Sequence, residues 1–199
     1  MRTHTLRTPS LVGVDDVRAP WLLPADGTIL TVRGATQKDL PGVALMHSRC
    51  SAKTLLDRYR TGGRAPGVLI LDTQLREPLS YVAVAEDGHV VATAQVRADT
   101  DHTIGSAEIA ILVEDQWQAF GIGRGLLRHC AAAAALSGYR QLIAYPGTTA
   151  PVIQRLMLGV GTTRVVIDAH RHLHTSLPGS AQYGLGNMVS PSQLRRRVG

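Results

Sequence analysis

Aromatic side chains are scarce in these 199 residues: phenylalanine occurs once, tryptophan twice and tyrosine five times, 4% in all. A surface that stacks on single-stranded nucleic acid needs more of them, so that partner is disfavoured. Cysteine is as sparse. Cys50 and Cys130 stand alone, without CxxC spacing, which argues against a disulfide framework or a zinc site and suits a reducing cytoplasm. Nowhere do about eighteen apolar residues run together, and the N-terminal residues lack an apolar core of signal-peptide length. Neither a membrane span nor an export leader is expected. Repeats and low-complexity blocks are missing as well.

What is present suits one buried domain. Apolar residues make up 44% of the chain and are spread throughout. Residues 1–27 mix Thr, Pro and charge without period and read as an arm, residues 28–178 as the domain, and residues 179–199 as an extension with a basic end. The net charge of +6 predicts attraction to anions, and a ligand with several phosphates satisfies it as well as DNA would. The dense run Arg195, Arg196, Arg197 reads as a solvated tail.

Periodicity sets the order of elements. Alternation from Ile29 to Arg33 predicts a strand, Thr36 with Asp39 three residues on predicts a helix start, and Gly62 with Gly63 closes a second helical piece. The run "YVAVAEDGHVVATAQV" predicts a hairpin turning at Asp87-Gly88, and "GSAEIAILVED" a third antiparallel strand. A helix from about Gly123 to Ser137, the short strand "QLIAY", a helix starting near Thr149 with Pro151 in its first turn, and one or two strands in "TTRVVIDAHRHLHTSL" complete an α+β layout with one mixed sheet.

Between the third strand and the long helix lies "EDQWQAFGIGRG". Glycines before a helix offer unpaired N–H groups and a positive dipole end to an anion. A dinucleotide fingerprint would require glycine where Leu126 stands, and a P-loop would require a lysine that the stretch lacks. The pattern QxxGxG at Gln118, Gly121 and Gly123, after an antiparallel meander and before a long helix, resembles the acetyl-CoA loop of the GNAT superfamily of N-acetyltransferases. The resemblance spans about Val32 to Leu177 and implies the GNAT fold, a mostly antiparallel mixed sheet flanked by helices. It also implies acetyl-CoA as co-substrate, with the pyrophosphate on the amides of Gln118, Ala119, Phe120, Gly121, Ile122, Gly123 and Arg124. The pantetheine arm would lie along Ile111, Leu112 and Val113. Arg124 and Arg128, four apart on that helix, are candidates to reach phosphates.

Acetyl transfer to an amine calls for positioning and a base rather than a nucleophilic side chain. Glu108, a lone carboxylate inside an apolar strand that shares a face with Ala110 and Leu112, is the candidate base. The run "AEIAILVEDQWQ" resembles bacterial Pat-type protein lysine acetyltransferases, which implies the same role for it. Glu114 and Asp115 are expected to shape the loop or a cap. Many GNAT enzymes protonate the leaving thiolate with a tyrosine four residues before a Gly-aromatic pair; counted from Gly161 and Thr162 that place holds Met157, so either water or another group such as Tyr145 or Tyr183 serves, or the thiolate leaves unassisted. Cys130 reads as core. His170, His172 and His174 alternate along a strand and read as a polar sheet face rather than a metal site.

"HSRCSAKTLLDRY", from His47 to Tyr59, resembles the substrate-side helical segment of Pat-type enzymes and implies a protein lysine as acceptor. A small amine, an antibiotic or a polyamine, is the alternative, and a strongly cationic one would require acids such as Asp57, Asp99 and Asp101 around the groove. An inactive acetyl-CoA-binding module is the non-enzymatic alternative. A homodimer stays open.

Overall fold

The computed structural model describes residues 19–22, 29–60, 62–99, 105–145, 150–167 and 171–177. Arg195 to Arg197, Tyr183, Asp101 and His170 lie outside them. Within the expected arm, β1 (Ala19–Leu22) pairs antiparallel with β2 (Ile29–Gly34). Thr36 and Asp39 form a capping box around a 3-10 turn, in which Thr36 N–H donates to the Asp39 carboxylate at 2.8 Å. Arg33 clamps the same carboxylate at 2.6 and 2.8 Å. Helix α1 (Leu40–Arg49) follows, then α2 (Ala52–Tyr59) with Ser51 as N-cap.

Helix α3 (Val68–Leu75) has no counterpart in the sequence reading. Its apolar run carries no amphipathic period: Leu71 and Leu75 are buried while Val68, Leu69 and Ile70 are exposed. The hairpin forms as expected from β3 (Leu79–Ala85) and β4 (Val90–Ala98), with Gly88 supplying a φ of 86° at the turn. Next come β5 (Ser106–Val113), α4 (Ile122–Leu136), β6 (Gln141–Ala144), α5 (Ala150–Leu158), β7 (Thr162–Ile167) and β8 (Arg171–Ser176).

The strands form one sheet in the order β1-β2-β3-β4-β5-β6-β8-β7. All pairings are antiparallel except β5 with β6, which α4 connects as the crossover that a parallel pair requires. One face, with Ala107, Ile109, Ala94, Val96 and Leu142, packs against α4 and α5 in the larger core. The other, with Val82, Val90 and Leu112, packs against α1, α2 and α3. Among the described residues no helix is long and apolar enough to cross a membrane.

Two histidines of this scaffold, His47 and His129, are held below the ordinary imidazole pKa. His47 on α1 donates from Nδ1 to the Val43 carbonyl at 2.7 Å, and its Nε2 accepts from the Tyr59 hydroxyl at 2.6 Å, which ties α1 to α2. Burial lowers its pKa, against the Val43 bond that raises it, with the Arg58 cation lowering it further. His129 is lowered by burial alone and packs edge-on to Tyr81, with ring centres 4.5 Å apart.

A histidine with a depressed folded pKa binds its proton more readily when unfolded, so stability is complete above the unfolded value of about 6.5 and declines as pH falls below it. Asp39, held below the carboxylate range chiefly by Arg33, loses its contribution only at more acid pH. The melting temperature is therefore expected to fall between about pH 7.5 and pH 5. Differential scanning fluorimetry checks this, and His47→Gln should flatten the slope.

Candidate active site

The site begins where two strands part. β6 pairs with β5 only through Ser106, Ala107 and Glu108, while β5 runs on to Val113. Glu114 N–H donates to the Val91 carbonyl at 3.0 Å and Asp99 N–H to the Ser106 carbonyl at 3.1 Å. By the alternation of an antiparallel ladder, the backbone groups of even-numbered β5 residues therefore face β4. Those of Ile111 and Val113 face the fork, beyond the end of the β6 pairing. Gln118 Nε2 donates to the Val113 carbonyl at 3.0 Å, which leaves Ile111 as the strand's open edge. Leu112 is placed differently: its backbone faces β4 and its side chain is buried in the smaller core.

Beyond β5 the chain makes a 3-10 turn, Asp115–Trp117, and then the loop. Ala119 and Gly121 are left-handed, with φ of 67° and 88°. Gly121 is the N-cap of α4, no side chain caps it, and the first turn holds no acid. A Cβ added at Gly121 would meet nothing within 4 Å, so that position faces open space. Ile122 is fully buried and anchors the helix, while Phe120 and Arg124 stay exposed beside the cleft. The first amides of α4 lack intrahelical acceptors by construction, which makes this end suited to a diphosphate.

The loop is stitched to the first half of the chain. The Asp115 carboxylate accepts from Ser51 N–H at 2.8 Å, Ser51 Oγ at 2.7 Å and Thr54 Oγ1 at 2.9 Å. Burial pushes its pKa up, but these bonds outweigh that and hold it below the ordinary value. Gln118 Nε2 also reaches Thr54 Oγ1 at 3.2 Å. Glu114, 2% exposed, takes Arg49 at 2.7 Å and Gln116 at 2.7 Å. Both acids thus shape the loop, Glu114 from inside and Asp115 from its exposed side.

A cleft of about 1290 Å³ joins these parts, lined among others by Glu108, Ile111, Val113, Gln118 to Arg124, α2 residues from Lys53, and Tyr145. Arg128 lies outside its lining. Glu108 stands at the apex of the fork, where Arg97 on β4 bonds its Oε2 through Nε at 2.8 Å and through Nη2. Both bonds fall on one oxygen, and Glu108 lines the cleft. Tyr145 sits 5.4 Å from the His172 ring and 5.6 Å from the Arg60 guanidinium. Met157 is buried in the core, away from any acid role.

Residues that the sequence reading passed over complete the wall. Arg58 on α2 donates to Gln95 at 2.7 Å, and Gln95 lies opposite Ala110. Their part was hidden because it depends on the register between β4 and β5. His172 and His174 share a face as expected, but both are buried, with rings 4.7 Å apart and His174 Nδ1 2.9 Å from Gln141 Oε1. The polar face they form is therefore a buried one. No metal-holding cluster occurs among the described residues. Cys130 is core, its thiol pushed up by burial, and Cys50 is pushed up to about 11, first by burial and then by Asp115 and Glu114.

The sequence description of the Acetyltransferase (GNAT) family matches residues 51–152, just over half of the chain. The chain belongs to the GNAT acetyltransferase family. Solved GNAT structures share its fold. The GNAT domain of S. lividans PAT superposes with a TM-score of 0.69 at 22% identity, over 80% of this chain and 97% of that one. A GNAT superfamily phosphinothricin acetyltransferase (Pat) from Sinorhizobium meliloti, in complex with AcCoA, gives 0.61 at 22% identity over 76% and 91%. A mutant cAMP-binding acyltransferase from Mycobacterium smegmatis gives 0.54 at 20% identity over 88% of this chain and 51% of that one, so this chain spans about half of its length. At such identities the likeness speaks for the fold alone. Among curated proteins none matches. GNAT enzymes use acetyl-CoA, and the open edge, the left-handed glycine and the bare helix end of this chain fit it.

The Arg49–Glu114 pair makes the loop's position a matter of stability. Arg49→Met strands a buried carboxylate and should cost on the order of 2–3 kcal/mol, at the low end for a buried pair because Arg49 is 29% exposed. Arg49→Met combined with Glu114→Leu should recover much of that, and urea unfolding measures both.

Proposed function

We propose that this GNAT enzyme moves the acetyl group of acetyl-CoA to a primary amine by direct attack, with Glu108 as general base. The observation that carries this reading is the coincidence of the fork's apex with the carboxylate of Glu108. In this reading the amides of Gln118 to Arg124 hold the pyrophosphate, and the edge of Ile111 and Val113 pairs with the pantetheine arm, with Leu112 backing it from below. When bound, acetyl-CoA supplies an already activated thioester.

An amine with a pKa near 10.4 is neutral only about one time in a few thousand at pH 7, so its proton has to be removed before attack. Glu108 Oε1 takes it, directly or through a water, while Arg97 on Oε2 fixes the carboxylate's direction. Tyr145 is the substitute tyrosine that lines the cleft and stands as donor to the leaving thiolate. The acceptor enters along α2, the segment whose likeness to Pat-type enzymes favours a protein lysine over a small amine. The catalytic unit is residues 28–178, and two free buried thiols suit a cytoplasmic setting.

Glu108→Gln tests the base. The turnover number should fall by about 10² to 10⁴, measured as thiol release from acetyl-CoA, with coenzyme affinity by calorimetry unchanged. No loss of rate would remove Glu108 from the role. Gly121→Val tests the cradle: it forces a branched residue into a left-handed position and puts its side chain into the cleft. Affinity for acetyl-CoA should drop roughly tenfold or more, the worth of one charge-assisted hydrogen bond.

A further inference from the structure

The wall that faces Glu108 is cationic in an unusual way for a site that receives an amine. Arg97 is committed to Glu108. Arg58 is not committed to any acid: among the described residues its one hydrogen bond runs from Nη2 to the neutral Gln95, and its Nε is fully enclosed without a partner. Burial pulls its pKa down from the ordinary arginine value, against the neighbouring Tyr59 and Glu108, which raise it, and with Arg97, which lowers it further. The guanidinium lies 4.6 Å over the Tyr59 ring and lines the cleft. A desolvated cation with unused donors gains more from a carboxylate than from anything else that could enter.

Its place fixes the distance. Arg58 reaches Gln95, which lies opposite Ala110, two residues along β5 from Glu108 and on the same face. Two residues of strand span about 7 Å. Of the acids nearby, Asp57 is paired with Lys53 at 3.0 Å, and Asp99, which also lines the cleft, lies two residues beyond Arg97, on the far side from Gln95. Resting on the acetyl-transfer reading, we propose that Arg58 anchors a carboxylate carried by the acceptor, so that the substrates are amines bearing a carboxylate within a few bonds of the nitrogen, or lysines beside an acidic residue.

The carboxylate forms no covalent bond. It docks on Arg58, with the exposed edge of Arg97 nearby, and the amine is thereby placed over Glu108. Polyamines and aminoglycosides, which carry cations where this wall is cationic, are selected against. Arg58 is in this sense a specificity residue and plays no part in moving the proton.

The test uses the full chain, acetyl-CoA and thiol release. Glycine, β-alanine, γ-aminobutyrate and glutamate are compared with their carboxamides, lysine peptides with flanking Asp or Glu with the same peptides carrying Asn or Gln, and spermidine serves as the cationic control. Carboxylate-bearing acceptors should be favoured in kcat/KM by roughly ten- to hundredfold, the worth of one charge-assisted hydrogen bond. Preference confined to the free amino acids, or to the peptides, names the source of the carboxylate and supports the subsite either way. In Arg58→Gln the preference should collapse through KM with coenzyme affinity intact, and Arg58→Lys should restore part of it.

Equal use of acids and amides by the wild-type protein, or better use of spermidine, overturns the subsite while leaving acetyl transfer standing. So does an Arg58→Gln that slows both members of each pair alike, the mark of a merely structural arginine. If that variant does not fold, the wild-type pairs decide alone. Failure of acetyl-CoA to bind, or of any amine to release thiol, would instead sink the transfer reading.

Discussion

A strand edge inside a protein must find partners for its N–H and C=O groups, and on its β6 side β5 finds no strand partner past Glu108. The cause is a mismatch of lengths: β6 has four residues and β5 has eight. The sheet does not close the gap, because β8 pairs with β6 and follows it away from β5. The edge is therefore left open to the cleft, where the proposed reading puts the extended, amide-bearing arm of the coenzyme. Each other part of the site takes its place from this fork, since Glu108 is the last paired residue before it and the loop follows directly from the far end of the unpaired stretch.

Such an edge is useful only if the loop beyond it holds still. The bonds of Asp115 to Ser51 and Thr54 do this from one side, and the Arg49–Glu114 pair from another. Because Ser51 caps α2, the same contacts fix a helix that lines the cleft. A shift in α2 would move the loop, and the reverse also holds. In the proposed reading, coenzyme site and acceptor site are thereby one mechanical unit, with the His47–Tyr59 bond tying its other end to α1.

What the sequence made legible was local. Asp87-Gly88 announced a turn because only a few residues tolerate positive φ, and Thr36 with Asp39 announced a helix start because a capping box is written in four consecutive residues. Glycines before a periodic run placed the loop. Glu108 stood out as a charge within an apolar strand, yet its partner did not, because Arg97 meets it only through the register of β4 on β5, which no local pattern encodes. Arg58 was hidden for the same reason. Helix α3 escaped because its apolar side chains run round the helix, and β1 because four residues at a sheet edge carry too little alternation to read.

The acids beside the loop show why sequence charge is a poor guide to local field. Glu114 and Asp115 immediately precede the proposed diphosphate cradle, where two free carboxylates would repel an anion strongly. Folded, both are engaged: Arg49 neutralises Glu114, while Asp115 keeps its negative charge among three neutral donors from the start of α2. The bare end of α4 and the exposed Arg124 offer an anion donors and positive charge beside it. Acids in this position thus serve to anchor the loop. The arrangement also ties electrostatics to packing, since loosening α2 would release Asp115 toward the anion as well as displace the wall.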